Sequence, residues 1–453
     1  MSLSIVILAA GQGKRMHSAL PKVLQPLAGR PLLAHVIDCA EGVGAGDICV
    51  VYGHGGERVR AAISDANLRW ALQAEQLGTG HAVRQAMPET PDENRVIVLY
   101  GDVPLLRPQT LRNLVDRCGA GEVAVLTLRT EKPYGYGRIV RKDGAIVRSV
   151  EERDASEAEK RITEVNTGVL CCPATALKVW LGRLSNDNSQ GEYYLTDVLG
   201  MAVNDGVTVH GVLTDDQVEV MGINDKRQLA EAERALQARL VGELMDQGVT
   251  FADPARVDIR GELVCGRDVF IDVNVVFEGR VKLGDGVRIE SNNVIRDASI
   301  GHATVVHPNC HIEQARTGKS CEIGPFSRLR PGAELLDDVK VGNFVEIKKS
   351  TIGNSSKVNH LSYIGDTTIG TGVNVGAGTI TCNYDGANKH RTTIGDNAFI
   401  GSGVELVAPV EVGAGATIGA GSTISKSAPA GKLTLGRARQ VTVDGWKPPV
   451  KKS

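Results

Sequence analysis

Several things are missing from this sequence, and each absence removes a class of protein. No stretch approaches the ~18–20 consecutive apolar residues that span a bilayer, and the short apolar run in Met1–Ala10 has no basic segment before it. Neither a membrane span nor a secretory leader is therefore expected. The nine cysteines are odd in number and contain no Cys-x-x-Cys pair, which argues against a zinc ribbon or a thioredoxin-type motif. Adjacent Cys171 and Cys172 are poorly placed to bridge each other. With 51 basic against 53 acidic side chains the net charge is −2, so generic binding to nucleic acid or a membrane surface has no electrostatic basis. Aromatic residues make up only 4%. The surviving expectation is a soluble enzyme or assembly in the reducing cytoplasm.

What is abundant is glycine, 53 in 453 residues, well above the ~7% of an average protein. The length allows two or three domains, and the pattern changes character near residue 250. Before that point, apolar runs such as Ile5–Leu8, Ile48–Val51 and Val96–Leu99 alternate with amphipathic stretches. That predicts a largely parallel sheet with helices on both faces. Residues 225–247 are proline-free and rich in Ala, Glu, Arg and Leu, with Leu229, Leu236, Leu240 and Leu244 on one helical stripe. A connector helix is expected, and the lack of a clean heptad argues against a coiled coil. The expected boundaries are 1–225, 226–247 and 248–453.

Beyond residue 250 aliphatic residues recur every six positions, as at Ile394, Ile400, Leu406, Val412, Ile418 and Ile424, or Ile323, Leu329, Leu335, Val341 and Ile347. Many are followed by glycine. This stride fits neither one helical face nor one long strand, but it does fit a parallel β-helix with three hexads per coil. The aliphatic anchor would point inward, and glycine would supply the unusual corner dihedrals.

Two places in the first half suggest phosphate chemistry. Strand-like Ile5–Ala10 leads into Gly11-Gln12-Gly13-Lys14-Arg15, with Lys22 downstream. A glycine-rich turn into a helix start would offer backbone N–H groups and a positive helix end to an anion. It matches neither the dinucleotide fingerprint nor the P-loop. Asp102 follows the apolar run 96–100, where open α/β sheets bind ligands. It is a candidate Mg²⁺ ligand, or else a helix cap.

In the second half, His360, Ala377, Ser402 and Ala420 each stand two places after an anchor (Val358, Val375, Ile400, Ile418). Coils of 17 or 18 residues, with one excursion in residues 381–393, would stack all four along one edge, suited to an extended ligand such as a pantetheine arm. Arg330 and Lys348, one coil apart, form a basic column about a third of a turn from His360. One prism would keep these groups apart, so a site between subunits of a symmetric trimer is expected.

The segments "LAAGQGKRM…PKVL", "QAEQLGTGHA", "YGDVPLL", "EVNTG", "GEYYLTD" and "GINDK", followed by the hexads, resemble the bacterial bifunctional N-acetylglucosamine-1-phosphate uridyltransferase/glucosamine-1-phosphate N-acetyltransferase family along essentially the whole chain. The resemblance implies an α/β, Rossmann-like nucleotidyltransferase domain, a linker helix and a left-handed parallel β-helix of hexapeptide repeats. It implies a uridyltransferase site at Leu8, Ala9, Ala10, Gly11, Lys22, Gln73, Gly78, Thr79, Tyr100, Gly101, Asp102, Gly137, Glu151, Asn166 and Asn224. Asp102 and Asn224 would hold Mg²⁺, and Arg15 and Lys22 would act on the phosphates of UTP and N-acetylglucosamine 1-phosphate. For acetyl transfer it implies His360 as base, with Arg330, Lys348, Tyr363 and Asn374 on glucosamine 1-phosphate. Ala377, Asn383, Tyr384, Ser402, Ala420 and Arg437 would take acetyl-CoA, the co-substrate. A homotrimeric cytoplasmic enzyme serving cell-envelope synthesis is implied. The competing reading is a monofunctional pyrophosphorylase whose β-helix only regulates or oligomerises.

Overall fold

The computed structural model describes residues 2–11, 13–53, 56–63, 67–449 and 451. Gln12 of the glycine-rich turn and Val450, Lys452 and Ser453 of the basic tail lie outside these residues. The chain forms two compact units, Met1–Leu236 and Gln237–Ser453.

In the first unit the three apolar runs lie inside strands Leu3–Leu8, Asp47–Tyr52 and Arg95–Tyr100. Leu3–Leu8 pairs in parallel with both of the others, and Leu68–Leu72 extends the sheet beyond Asp47–Tyr52. Side chains alternate across it: Ile5 and Ile7 enter one core and Val6 the other, all fully buried. This two-sided burial is why these strands read as unbroken apolar runs. The expected parallel order is interrupted once. Strand Glu164–Pro173 lies antiparallel between Arg95–Tyr100 and Val123–Arg129, and Val209–Thr214 closes that edge in parallel with Val123–Arg129.

The 21-residue helix Lys226–Asp246 is present, but its halves belong to different units. Glu233 accepts from the Ala28 amide at 2.7 Å in the first unit. In the second, Gln237 accepts from Ile259 N at 2.7 Å and donates to Ile259 O at 2.8 Å, while Val241 and Leu244 join the core.

The second unit is a left-handed parallel β-helix whose strands stack in register on three faces. One face runs through Val341, Val358, Val375, Ile400 and Ile418. The hexad anchors are its core, each at most 3% exposed. Coils separated by ~4.8 Å complete one another's backbone hydrogen bonds.

Two details differ from expectation. Apart from Gly324 (φ 99°), the glycine directly after an anchor is not the left-handed corner residue. It is needed for clearance between coils: a Cβ on Gly401 would lie 2.5 Å from the Ala420 nitrogen. The left-handed position comes two residues later and is held successively by Asn274, Asn292, Asn309, Phe326, Phe344 and Leu361 before Gly378, Gly403 and Gly421 take over. The excursion is also shorter than expected. Strands Ile380–Cys382 and Thr392–Ile394 remain in the ladder, so the loop is residues 383–391. Thr381 is the inward residue of that coil, 1% exposed, while Ile380 faces outward. Its hydroxyl accepts from Gly365 N at 2.7 Å, which lets a threonine substitute for an aliphatic anchor.

Candidate active sites

A cavity of about 220 Å³ opens at the carboxyl ends of Leu3–Leu8 and Arg95–Tyr100. Leu8, Ala9, Ala10, Gly11, Lys22, Gln73, Gly78, Thr79, Tyr100 and Asp102 all line it. Gly101 sits between the last two, its amide bonded to Leu8 O at 2.9 Å. Gln76 and Glu192 line it too, and sequence reading missed both. Gln76 is the second glutamine of "QAEQLGTG"; its amide donates to Ala10 O at 2.6 Å and steadies the glycine-rich turn. Glu192 arrives with residues 192–195, which latch onto residues 77–80 through Tyr193 N to Leu77 O and Gly80 N to Tyr193 O, both 2.8 Å. Gly78 adopts φ 110°, and a Cβ there would lie 2.7 Å from Tyr193 O, so only glycine fits.

The turn does not open onto an α-helix as expected. Only a three-residue 3₁₀ turn, Lys14–Met16, follows, so no helix dipole assists an anion; the charge comes from side chains. Lys22 Nζ donates to Asp102 Oδ2 in a close ion pair and to Asn224 Oδ1 at 3.2 Å. Arg15 Nη2 donates to the same Asn224 oxygen at 2.9 Å. Asp102 is not a helix cap, since the next helix starts at Pro108 with Arg107 as its N-cap. The oxygens of Asp102 and Asn224 thus converge on one positive charge. Hard oxygen donors of this kind, few in number, are what Mg²⁺ accepts alongside phosphate and water, so the residues fit that ion.

Gly137, Glu151 and Asn166 form a second group. Asn166 pairs with Gly137 across the sheet and donates to Ser149 Oγ at 3.2 Å; a Cβ on Gly137 would crowd that hydroxyl at 3.1 Å. Glu151 accepts from Thr196 Oγ1 at 2.7 Å and lines a different cavity of about 380 Å³ with Asp154 and Asp197. Burial raises the carboxyl pKa of Glu151, and raises that of Asp197 to about 6. Tyr100 joins the two groups: its ring packs against Gly168, and burial, then the charges of Glu151 and Asp102, push its phenol up.

On the β-helix, strand register stacks His360, Ala377, Ser402 and Ala420 along one corner. Gly378, Gly403 and Gly421 donate in turn to the carbonyls of His360, Ala377 and Ser402. Arg437 continues the column, donating to Ala420 O at 2.7 Å. His360 is exposed, and its Nδ1 lies 2.8 Å from Oδ1 of Asn343, its in-register neighbour one coil below. A side-chain amide oxygen can only accept, so Nδ1 carries the hydrogen in this arrangement, which leaves Nε2 as the acceptor nitrogen of the neutral imidazole. Sequence reading missed Asn343, whose position two places after Val341 marks it as part of the same column.

Arg330 and Lys348 stack on the adjacent face, one prism face from His360. Arg330 Nη1 donates to Glu346 at 2.7 Å, and that bond raises its pKa. Lys348 is lowered, first by Lys389 of the excursion loop, then by burial, and also by the charge of Arg330, so cations crowd here. Tyr363 shares this face, and Asn383 reaches it by donating to Asp366 at 2.5 Å. Asn374 does not join them: by register it stands above Lys357 on the His360 face. Tyr384 projects from the excursion, largely exposed. The loop braces itself, with Asp385 accepting from Ala387 N at 2.8 Å and pairing with His390 at 2.6 Å.

The chain that carries these two groups of residues matches known proteins throughout. Residues 5–169 match the model of the MobA-like NTP transferase domain, and residues 391–426 match six repeats of the bacterial transferase hexapeptide. The bifunctional protein GlmU of Azoarcus sp. (strain BH72) is 59% identical over 450 residues, covering 99% of this chain and all of the relative. GlmU of Aromatoleum aromaticum is 60% identical over 452 residues, 99% of each chain, and that of Chromobacterium violaceum 56% over 453, covering 100% and 99%. The chain belongs to the GlmU family. It is therefore a transferase with two activities, UDP-N-acetylglucosamine diphosphorylase and glucosamine-1-phosphate N-acetyltransferase, and the monofunctional alternative is set aside. Among the described residues, no helix is long and apolar enough to cross a membrane.

Proposed function

We propose that the cavity of the first unit transfers UMP from UTP to N-acetylglucosamine 1-phosphate, and that the stacked corner of the β-helix makes that sugar phosphate from glucosamine 1-phosphate and acetyl-CoA. The observation that carries this reading is that each unit brings together side chains suited to one half-reaction. Lys22, Arg15, Asp102 and Asn224 meet in the first, and an exposed histidine held through Nδ1 by Asn343 heads a stacked column in the second.

In the uridyl step a phosphate oxygen of the sugar forms a bond to the α-phosphorus as the bond to pyrophosphate breaks. The nucleophile is already anionic, so the task is alignment and charge neutralisation. Lys22 and Arg15 supply two positive charges beside the glycine-rich turn. Mg²⁺, held by Asp102 and Asn224, would add Lewis-acid charge neutralisation at the phosphates. Gln73 and the Gly78–Thr79 backbone face the base, while Tyr100, Gly137, Glu151 and Asn166 serve the sugar end.

In the acetyl step His360 Nε2 removes a proton from the glucosamine amine as its nitrogen attacks the thioester carbonyl; the C–S bond then breaks and CoA leaves as the thiol. A base of this type suits proton transfer near neutral pH. Arg330, Lys348 and Tyr363 would hold the phosphate and sugar, and Ala377, Asn383, Tyr384, Ser402, Ala420 and Arg437 the acetyl-CoA. Asn374 would approach the sugar from the His360 face. Because Arg330 and Lys348 lie one prism face from His360, a homotrimer in the cytoplasm that completes each site between neighbouring prisms is part of the proposal.

The test is a reconstitution with glucosamine 1-phosphate, acetyl-CoA, UTP and Mg²⁺, omitting each in turn and following UDP-N-acetylglucosamine and N-acetylglucosamine 1-phosphate separately. His360→Ala is expected to stop acetyl transfer and leave uridyl transfer near normal; Asp102→Ala is expected to do the reverse. Loss of both activities in either folded variant overturns the assignment.

A further inference from the structure

The base-facing end of the uridyl cavity contains an arrangement whose consequence goes beyond the roles assigned above. Gln73 is 3% exposed. Its Nε2 donates to Gly78 O at 3.1 Å and stands 3.1 Å from His81 Nδ1. Gly78 O is a carbonyl and can only accept, so it determines which end of the amide points toward it: the NH₂ group must face the Gly78–His81 side. The His81 nitrogen beside that NH₂ must then be an acceptor, which makes His81 a neutral imidazole with its hydrogen on Nε2. The Gln85 nitrogen lies 3.1 Å from both Nε2 and the His81 carbonyl oxygen, to which it donates; this amide is only half-buried, so it can exchange that bond for water and turn its oxygen to Nε2, whereas buried Gln73 has no such freedom. With both donor hydrogens of Gln73 engaged, the remaining group is Oε1. Among the described residues nothing donates to Oε1, and Gln73 lines the cavity.

We propose that His81 is a positioning residue for pyrimidine selection: it is the second of two acceptors, beside Gly78 O, that hold the buried Gln73 amide with its oxygen toward the base. The inference rests on the uridyl-transfer reading of this cavity. A fixed acceptor beside the Gly78–Thr79 backbone N–H groups complements uracil, which presents an N3–H donor next to a carbonyl oxygen. Cytosine presents the opposite pattern at those atoms, an N3 acceptor next to an amino group, and would set acceptor against acceptor. A site made to hydrogen-bond one pattern rejects its inverse because buried polar groups are left unpaired. If Gln73 could turn freely it would offer NH₂ as readily as oxygen, and the discrimination would fade without loss of the cavity.

The experiment measures kcat/KM for UTP and for CTP in the full-length protein, with His81→Leu and His81→Asn. The asparagine oxygen can take the acceptor position of Nδ1; leucine cannot. The UTP/CTP ratio is expected to fall about tenfold or more in His81→Leu and to stay within about threefold of the parent in His81→Asn. A merely structural role would lower both substrates together and leave the ratio unchanged, which overturns the proposal. Should His81→Leu not fold, the ¹⁵N spectrum of histidine-labelled parent protein decides, with His81→Asn assigning the resonance: Nε2–H is expected, and Nδ1–H overturns the proposal. If the parent itself uses neither nucleotide, the uridyl-transfer reading fails instead, and the two failures are distinct.

Discussion

Lys22→Met tests the electrostatics of the nucleotide cavity directly. In the free protein the ammonium of Lys22 holds the oxygens of Asp102 and Asn224, the two groups proposed for Mg²⁺. Lysine and a divalent ion therefore compete for one set of donors. The ion-paired side chains of Lys22 and Asp102 are only 13% and 19% exposed, so solvent screens the pair little. A charged hydrogen bond in such a setting contributes about 1.5–3 kcal/mol. Removing it should leave Asp102 uncompensated, lowering the stability of the metal-free first unit by about 2–3 kcal/mol. The same change should free the oxygens and tighten divalent-ion binding by roughly 10- to 150-fold. Titrating nucleotide-free protein with Mn²⁺ and following the free ion by electron paramagnetic resonance measures the affinity. Thermal unfolding with and without Mg²⁺ measures the linked stability, since a ligand of the folded state raises Tm by mass action. The expected result is a variant with lower Tm in metal-free buffer, tighter Mn²⁺ binding, and a larger rise in Tm with Mg²⁺ than the parent shows. Equal or weaker Mn²⁺ binding would refute the competition. Uridyl transfer by the variant is expected to be low in either case, so activity alone decides nothing.

Asn343→Leu removes the acceptor that holds His360 Nδ1 at 2.8 Å. A neutral hydrogen bond of about 0.5–1.5 kcal/mol corresponds to a roughly 2- to 13-fold fall in kcat for acetyl transfer, with KM for acetyl-CoA and uridyl transfer unchanged and with Asn343→Asp, which keeps an acceptor, restoring most of the rate; equal loss in both variants would remove Asn343 from this role. Asp197→Asn should stabilise the first unit at pH 7.5. The Asp197 pKa rises to about 6, through burial first and then the charges of Glu151 and Asp154. The folded state thus holds the proton more tightly than the unfolded one, and stability is lost as pH climbs from about 4 through 6. Because Asp197 is only partly buried, screening reduces the effect to about 1 kcal/mol, or roughly 2–4 °C in Tm. Calorimetry should show that gain shrinking toward zero by pH 4; a gain independent of pH would assign it to another cause.

How far the sequence could be read follows from which features are periodic. The β-helix was legible because its one requirement, an inward aliphatic residue every sixth position, repeats until chance is excluded, and the register of Val358, Val375, Ile400 and Ile418 follows from counting. The antiparallel strand Glu164–Pro173 was not legible: a strand buried on both faces has the same apolar composition whichever way it runs. The wrong account of the corner glycines has a similar origin, since composition shows that a Cβ is excluded but not whether the obstacle is its own backbone dihedral or the next coil. Phe344 and Leu361 in the left-handed position also show that glycine is not obligatory there. Within the sites, the residues proposed to touch ligand could be carried over by motif, whereas Asn343, Gln76 and His81 bond to such residues or their neighbours across a coil or between a loop and a helix. A histidine's tautomer and an amide's orientation depend on what stands opposite, so they appear only when the neighbours are in place. In both units the chemistry depends on such a choice. On the proposed roles, His360 is better placed to act as a base while Asn343 keeps its hydrogen on Nδ1, and Gln73 distinguishes uracil from cytosine best while its two hydrogens are held by Gly78 and His81.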